Sequence, residues 1–540
     1  MFALPKELTL PHGARELHPG SSVQSWAMLL MLLLACSGDP EPSDASCSGD
    51  DGEGATLLVQ PYLQSVGPTE AWVYWETDVG VGSRLDWGTT EALGQVTCGE
   101  RVPAYVGGDP DDATTQVHAV HLEGLTAGST IHYRARTGDT ESSVQHLRTA
   151  EDGAFRIVAM SDSQRDDDNP DQFRQVVQDG VIPTVRESYG EDLSEEIAMV
   201  LFPGDLVDNG WHLEEWQQEF FEPAAELLGQ VPVYPAIGNH EGGSPFYFRY
   251  FHLPEGLDEH AYAFDRDNVR VVTLDSNGWA EDDQLDWLDE QLDSACTSTD
   301  LDFVFAQLHH PYLSELWTPG ETDFTAQVVA RLEAFTTSCG KPSVHFFGHT
   351  HGYSRGQSRD HQHLMVNVAS AGGAIDRWGE QPQADYDEFT VSQDTWGFVL
   401  VEVETGETPS FTLRRISQGN ADSPADNEQS DTLTIWRDNQ APDTPEPQGC
   451  EEGLMTASGF QDSEGHAHQA SHWQVASTCE ELDGTPLEIW RQARNEYLGV
   501  DTQEDDDLED EPLPLQPGCW RVRYRDEGLV WSDWSASSDC

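Results

Sequence analysis

The chain has 540 residues, which is enough for about three or four domains. Its 98 Asp and Glu residues outweigh 27 Lys and Arg residues and give a net charge of −71. Such an acidic chain repels phosphate backbones, so nucleic-acid binding is not expected. With 37% hydrophobic residues and 17 Trp it can still build cores, and we expect disorder to be confined to linkers.

The first segment reads as an export signal. The apolar run 26–35 is too short to span a bilayer, and Cys36 follows it directly. Residues 33–36, Leu-Leu-Ala-Cys, resemble the cleavage box of bacterial lipoproteins, although only Lys6 and Arg15 precede the run. The resemblance implies a signal peptide over 1–36 and a lipid anchor on Cys36. Residues 37–55 are rich in Ser, Asp, Gly, Glu and Pro, which predicts a polar tether. An ordinary export signal is the alternative, and either one predicts an exported protein, membrane-anchored, periplasmic or extracellular.

The cysteine count also fits export. Nine cysteines are present, and eight remain once Cys36 is set aside. An even number in an exported chain indicates disulfides. None of them has CxxC spacing, so a zinc ribbon is not expected.

Short strands separated by turn residues fill 56–150 and predict a β-sandwich. Residues 122–130, followed by Tyr133, resemble the corner of a fibronectin type III domain. A small sandwich of this kind precedes the catalytic domain in purple acid phosphatases.

Apolar strands alternate with amphipathic segments over 154–416, which predicts a layered α/β domain. In the segment 284–292, Leu285, Leu288 and Leu292 fall on one helix face. Cys296 and Cys339 are the two cysteines of this domain, and we expect them to pair. The predicted strands are 155–160, 198–202, 231–237, 269–274, 303–308, 344–347 and 364–368, with 397–403 and 411–415 finishing a sheet.

The remainder is predicted as a linker and a second sandwich. Residues 417–447 are rich in Asp, Asn, Gln and Pro and read as a linker with one possible strand over 432–436. Residues 448–540 hold four cysteines and a cleanly alternating strand, 519–525. Residues 531–535, Trp-Ser-Asp-Trp-Ser, resemble a fibronectin type III box in which arginines stack between tryptophans. The acidic run 504–511 predicts a solvated loop, and a calcium-binding loop is the lesser alternative.

Polar residues directly follow several apolar runs of the α/β segment. Ligand sites in such sheets lie at the carboxyl ends of strands, so these side chains should meet. Carboxylate, amide and imidazole ligands without thiolate suit Mn, Fe or Zn, and one shared carboxylate could hold two ions close together. The motifs are Asp162-Ser-Gln164, Gly204-Asp205, Asn239-His240-Glu241, His309-His310-Pro311 and His349-Thr-His351.

These five motifs, in this order, resemble the calcineurin-like metallophosphoesterase superfamily over about residues 155–416. The leading sandwich and residues 348–355 are most similar to the purple acid phosphatase branch. The resemblance implies a dinuclear centre with Asp205 shared, and His240 as a catalytic residue that contacts the phosphoryl oxygens and the leaving group. The implied ligands are Asp162, Gln164, Asp205 and His351 for one ion, and Asp205, Asn239, His309 and His349 for the other.

Two positions depart from the family pattern. The first motif ends in Gln164 where His is usual, and an amide is a weaker, neutral ligand. The purple branch has a tyrosine where this chain has Asp208, so no iron–tyrosinate colour is expected. His310, Arg355 and Asp275 are candidates for contacting the substrate or supporting the ligands, and a structural salt bridge is an equal alternative for Arg355.

The sequence therefore predicts an exported, dinuclear metal-dependent phosphatase that acts on phosphorylated small molecules, with phosphomonoesters as the leading substrate class. A phosphodiesterase or nucleotide pyrophosphatase of the same superfamily is one alternative. A surface-binding protein with an inactive catalytic domain is the other.

Overall fold

The computed structural model describes residues 47, 54–80, 82–104, 113–494, 496–497, 500–501, 507–508 and 511–540. The predicted signal 1–36, nearly all of the tether and most of the acidic run 504–511 lie outside these residues. Among the described helices, none is long and apolar enough to cross a bilayer.

The first domain is the predicted β-sandwich. Its sheets have the strand orders β1-β2-β6-β5 and β4-β3-β7-β8, with β9 also paired to β7. The inward side chains, such as Val73, Trp75 and Tyr133, are fully buried between the sheets. The strands are β1 (Leu57–Gln64), β2 (Glu70–Thr77), β3 (Arg84–Gly88), β4 (Gln95–Cys98), β5 (Glu100–Val102), β6 (Gln116–Glu123), β7 (Thr130–Thr137), β8 (Thr140–Glu141) and β9 (Gln145–Arg148).

The catalytic segment supplies the strands of two further sheets. The predicted strand positions are confirmed to within a few residues. The strands are β10 (Phe155–Ala159), β11 (Met199–Phe202), β12 (Val233–Pro235), β13 (Gly256–Leu257), β14 (Ala261–Arg266), β15 (Val269–Thr273), β16 (Phe303–Gln307), β17 (Ser343–Phe347), β18 (Tyr353–Gln357), β19 (His363–Asn367), β20 (Phe389–Gln393), β21 (Trp396–Glu404), β22 (Ser410–Gly419) and β23 (Pro424–Trp436).

The two sheets face each other across the main core. One has the order β12-β11-β10-β21-β22-β23, and the other runs from β13 through β14, β15, β16, β17, β19 and β18 to β20. Ile157 and Val200 of the first sheet and Phe305 and Val344 of the second are all fully buried in this core. The strands β10–β11–β12 and β15–β16–β17 are parallel, so their carboxyl ends lie at one edge of each sheet.

Helices cover the outer faces and complete the layered α/β architecture. Leu285, Leu288 and Leu292 of the helix Glu281–Thr297 are buried against the second sheet, as their spacing predicts. Within the part of the chain that the structure describes, ten stretches have α- or π-helical geometry: Gln172–Gln175, Val176–Val181, Ile182–Ser188, Leu193–Glu196, Leu213–Glu215, Trp216–Phe221, Glu222–Leu228, Pro245–Tyr250, Glu281–Thr297 and Asp323–Cys339. Short 3-10 turns lie at Thr318–Gly320 and Cys479–Asp483.

The predicted linker over 417–447 is wrong as far as residue 436, but the possible strand over 432–436 is confirmed as the end of a longer strand. Residues 424–436 form β23, which pairs along β22 and completes the six-stranded sheet. Its polar composition arises because ten of its thirteen side chains are exposed or half-buried at the sheet edge, while Leu433 and Ile435 are buried. Asp431 is also buried, because it accepts hydrogen bonds from Tyr353 (2.7 Å) and Arg355 (2.6 Å).

We expect Asp431→Ala to lower the free energy of unfolding by about 3–5 kcal/mol, since it leaves the Arg355 guanidinium buried without its partner. Urea denaturation followed by circular dichroism measures this. Glu428→Ala on the same strand is the matched control, because Glu428 is exposed and should change stability by less than about 0.5 kcal/mol. Equal losses in both variants would contradict this account.

The last domain packs two small sheets, β24-β25-β30 and β27-β26-β31-β32, around Trp473 and Trp520. It is not wholly separate, because β28 pairs with β20 of the catalytic sheet. The predicted arginine–tryptophan ladder is confirmed, with Arg523 over both Trp531 (4.4 Å) and Trp534 (4.6 Å). The strands are β24 (Pro447–Glu451), β25 (Leu454–Ala457), β26 (His468–Ala476), β27 (Leu487–Gln492), β28 (Glu496–Tyr497), β29 (Val500–Asp501), β30 (Leu513–Pro514), β31 (Cys519–Asp526) and β32 (Ser538–Asp539).

The eight cysteines form four disulfides. The predicted pair Cys296–Cys339 is confirmed; it links the ends of the two long helices. The other three bridges are Cys47–Cys98, Cys450–Cys540 and Cys479–Cys519.

Candidate metal centre

The predicted ligand residues follow the carboxyl ends of strands in both catalytic sheets, and the structure brings them together. Asp162, Asp205 and Asn239 follow the parallel strands β10, β11 and β12 of the first sheet. His309 and His349 follow β16 and β17 of the second. Because the two sheets face each other, their polar ends converge at one edge of the core.

Asp205 lies at the middle of this group. One carboxylate oxygen, Oδ2, is 3.1 Å from His309 Nε2, and the other, Oδ1, accepts a hydrogen bond from the His240 backbone N–H. Asp205, His309 and His349 each offer a ligand atom within 4.8 Å of the others. A Cβ on Gly238 would come within 2.1 Å of Asp205 Oδ1, so this position has room only for glycine.

The histidine tautomers are set by backbone carbonyls. His309 Nδ1 donates to the Pro203 carbonyl (2.9 Å), and His351 Nδ1 donates to the Ala374 carbonyl (2.6 Å). Each ring therefore turns its Nε2 lone pair toward the centre, the arrangement that metal-ligating histidines use. His349 differs, because its Nδ1 faces the centre, 2.7 Å from Asn239 Oδ1.

Gln164 and Asp162 complete the side of His351. The Gln164 amide nitrogen is 2.9 Å from His351 Nε2, and Asp162 Oδ1 is 3.3 Å from the same atom. The Gln164 amide oxygen is shielded from solvent and accepts no hydrogen bond. An unpaired buried oxygen is costly, and a cation would satisfy it. The donor set therefore fits the metal ions that the sequence implied.

Three of the predicted ligand residues have left-handed backbone conformations. The φ angles are 61° at Asp162, 51° at Asp205 and 72° at His349. Such angles are uncommon for residues other than glycine, and strain of this kind is concentrated at functional sites. The strand ends are thus bent so that these side chains turn into the centre.

Sequence reasoning gave no role to Glu241, which organises the loops beneath the centre. Its carboxylate is fully buried and accepts the backbone N–H groups of Asp205 (3.0 Å), Leu206 (2.8 Å) and Gly238 (2.7 Å). One side chain thus joins the two strand ends that carry Asp205 and Asn239. Its place in the Asn-His-Glu motif was visible in the sequence, but no local pattern distinguishes a carboxylate that binds backbone amides.

The electrostatics favour positive charge at the centre. Burial opposes protonation of His309, but Asp205 and Asp162 beside it raise its pKa to about 9. Burial likewise opposes protonation of His351, and Asp162 raises its pKa to about 9. Burial and the neighbouring Asp205 charge raise the pKa of Glu241 to about 7. The field that raises these pKa values is the field that attracts a cation.

His240 lies at the mouth of the centre. Its Nδ1 donates to the Asp208 carbonyl (2.5 Å), and its Nε2 is 3.8 Å from Asp205 Oδ2. A cavity of about 280 Å³ opens here, and its walls carry polar groups and one aromatic ring, Trp317. It is lined by Asp205, Asn239, His240, Trp317, His349, His351, Asp376 and Gln381.

The three remaining candidates take supporting positions. His310 packs against the His349 ring with centroids 4.4 Å apart, and its Nδ1 pairs with the Ser276 hydroxyl. Asp275 accepts the Asn277 backbone N–H and so forms the turn after β15. Arg355 is buried in the salt bridge with Asp431, so the substrate-contacting alternative for Arg355 is wrong. The bridge partner was placed in a linker by the sequence analysis, which is why it was not foreseen.

The fold is a layered α/β domain with a cluster of potential metal ligands at one edge of its sheets. Residues 155–353 match the family described as calcineurin-like phosphoesterase. This segment is a calcineurin-like phosphoesterase domain, as the sequence resemblance predicted, and the domain is of the hydrolase class. The family implies a binuclear metal centre.

Similar proteins agree with this assignment. A stretch of 123 residues is 37% identical to a probable cyclic nucleotide phosphodiesterase of Rhodococcus erythropolis (strain PR4 / NBRC 100887); it covers 21% of this chain and 38% of that relative's length. The purple acid phosphatase from yellow lupin (Lupinus luteus) seeds superposes with a TM-score of 0.52 at 16% identity, over 69% of this chain and 73% of that one. PhoD superposes with a TM-score of 0.53 at 11% identity, over 72% of this chain and 92% of the PhoD chain. These two structures show the fold.

Proposed function

We propose that the chain is a dinuclear metal-dependent phosphoesterase that hydrolyses phosphomonoesters outside the cytoplasm. The observation that carries this is the convergence of the predicted donors with their binding atoms turned inward. His309 and His351 are fixed through Nδ1, and the Gln164 oxygen is left unpaired. A degenerate centre would lose such features first, so the inactive surface-binding alternative is disfavoured.

The residues divide between two ions. Asp162, Gln164, Asp205 and His351 would hold one, and Asp205, Asn239, His309 and His349 the other. When bound, the ions neutralise charge on the phosphoryl group and supply a nucleophile at neutral pH. Mn, Fe and Zn all suit this oxygen and nitrogen set.

The protein's own groups determine how the substrate is held and how its leaving group departs. His240 is fixed through Nδ1 at the mouth of the cavity, so in its imidazolium form its Nε2–H can face the leaving oxygen and donate a proton to it, which leaves the neutral ring. The cavity of about 280 Å³ is at the small end of ligand pockets, which suits a small phosphorylated compound.

A substrate panel tests this function. We expect the full chain, loaded with Mn²⁺ or Zn²⁺, to hydrolyse p-nitrophenyl phosphate at least about tenfold faster than bis(p-nitrophenyl) phosphate at equal concentration. Treatment with EDTA should abolish turnover, and restoring the metal should recover it. Absence of turnover on every ester of the panel, with two ions bound, would refute the phosphoesterase.

A phosphodiesterase is the second candidate, and one observation favours it. The 37% identical relative is named a probable cyclic nucleotide phosphodiesterase. Cyclic nucleotides and the bis ester belong in the same panel for that reason. Faster hydrolysis of either one than of the monoester would replace the leading proposal with this one.

The proposed location outside the cytoplasm is supported by the predicted signal and by the disulfides. Four disulfides suit an oxidising compartment. We expect Cys36→Ala to move the protein from the membrane fraction to the soluble fraction, because the variant lacks the sulfur that would carry the lipid. Fractionation and immunoblotting measure this, with wild type as the control. A variant that stays in the membrane fraction would contradict the anchor and leave the ordinary signal as the better account.

A further inference from the structure

A second group of metal-ligating side chains lies outside the catalytic centre. Asp462 and His466 belong to the loop between β25 and β26, and Asp526 is the last residue of β31. Their ligand atoms all lie within 4.8 Å of one another. Among the described residues, the one other trio that meets this distance limit is Asp205, His309 and His349 of the catalytic centre.

The two carboxylate oxygens of Asp462 differ: one accepts hydrogen bonds and the other has no hydrogen-bond partner. Its Oδ1 accepts the backbone N–H groups of Glu464 (2.8 Å), Gly465 (2.7 Å) and His466 (3.0 Å). Its Oδ2 is shielded from solvent and has no hydrogen-bond partner. The turn therefore fixes the carboxylate while leaving one buried oxygen unsatisfied, which costs free energy unless a donor or cation meets it.

His466 also has a buried polar atom without a hydrogen-bond partner. Its ring stacks on Trp436, the last residue of β23, with centroids 4.2 Å apart. Its Nδ1 is shielded from solvent and has no partner. The stacking fixes the plane of the imidazole and so the direction of this nitrogen.

Asp526 is fully buried. It accepts two hydrogen bonds from the Asn439 amide (3.0 and 3.1 Å) and one from the Val530 backbone N–H (3.0 Å). Among the described residues, no Lys or Arg side-chain nitrogen lies within 4.0 Å of a carboxylate oxygen of Asp462 or Asp526. A buried carboxylate without a cation is strongly unfavourable.

We propose that Asp462, His466 and Asp526 form a binding site for one structural divalent cation, Zn²⁺ or Mn²⁺. Two carboxylates and an imidazole are ligands that both ions accept, and the two negative charges balance one divalent ion. The ion would satisfy the spare Asp462 oxygen and the free His466 nitrogen together. Nothing in this site depends on the phosphoesterase activity.

The position gives the ion a mechanical role. Trp436 ends β23 and Asn439 lies three residues beyond it, whereas Asp462, His466 and Asp526 come from the C-terminal sandwich. An ion here would hold in place the His466 ring that stacks on Trp436 and the Asp526 carboxylate that binds Asn439. Metal binding of this kind stabilises the folded state directly.

Metal counting on the purified full chain tests the proposal. After loading with Zn²⁺ or Mn²⁺ and desalting, we expect mass spectrometry to find one ion fewer per chain in the double variant Asp462→Asn/His466→Ala than in wild type. Turnover of p-nitrophenyl phosphate should be retained. Glu464→Gln is the matched control in the same loop, because its carboxylate binds the Gln440 N–H instead, and it should keep every ion.

Equal ion counts in wild type and the double variant would overturn the site. If the double variant fails to fold, Asp205→Asn decides the question, because its catalytic centre is disabled. Retention of an ion by Asp205→Asn that is lost in the milder variant Asp205→Asn/His466→Gln, which keeps Asp462, supports the site, and an Asp205→Asn protein free of metal refutes it. Failure of the phosphoesterase assay alone would leave these counts unchanged.

Discussion

Asp205→Asn is expected to lose both ions of the catalytic centre and, with them, turnover. The shared carboxylate must carry charge, because two cations at close range otherwise repel each other. Loss of a partner that merely supports a ligand costs about 10–100-fold in metal affinity, so loss of the shared ligand should cost more than about 100-fold. Asn tolerates the left-handed φ of 51° at this position, so the substitution removes charge without straining the backbone.

Metal analysis and kcat on p-nitrophenyl phosphate measure this effect. Asp208→Asn is the matched control, since it removes an exposed carboxylate from the same loop and should leave the metal content unchanged. Melting temperatures of both variants show whether each is folded. An Asp205→Asn protein that keeps two ions in the catalytic centre would show that this carboxylate is not shared.

His240→Ala is expected to lose turnover and keep its metals. The ligand set is complete without His240, whose ring is fixed at the cavity mouth by the Asp208 carbonyl. A general acid contributes about 10²–10⁴-fold, so kcat should fall by about that factor. The fall should be larger for alkyl phosphates than for p-nitrophenyl phosphate, because p-nitrophenolate needs little protonation as it leaves.

Comparing the fall in kcat on alkyl and aryl phosphates distinguishes a catalytic role of His240 from a purely structural one. If His240 only supported the loop, stability would drop and kcat per folded molecule would equal the wild-type value on each ester. His212→Ala is the matched control, an exposed histidine in the preceding loop, and it should leave kcat unchanged. Loss of a metal ion in His240→Ala would instead make His240 a ligand.

Much of the centre could be predicted because its residues stand at strand ends. An apolar run followed by Asp, Asn or His indicates both that the polar residue lies at a strand end and that it can bind a metal ion, as at Asp205 and His309. The backbone bends that turn these side chains inward could not be predicted from the sequence. A positive φ at Asp162 or His349 depends on the packing of all the loops at this edge of the sheets. The role of Glu241 was also hidden, because its partners are backbone amides of another loop.

The end of the catalytic domain was the main error, and its cause is physical. β23 is an edge strand, so its outward side chains are polar and resemble a linker. Its one buried charge, Asp431, is neutralised by Arg355, 76 residues away in sequence. Sequence-local patterns carry no information about such a partner.

The course of β23 also determines how this protein can be divided into parts. A fragment that stops at residue 416 would cut into β22 and remove all of β23, leaving a row of unpaired N–H and C=O groups along what remains of β22. Such an exposed edge invites self-association, and inclusion bodies would be the expected product. A fragment ending beyond Trp436 keeps this edge as the native chain has it, although it removes β28 and so exposes the edge of β20 in the other sheet.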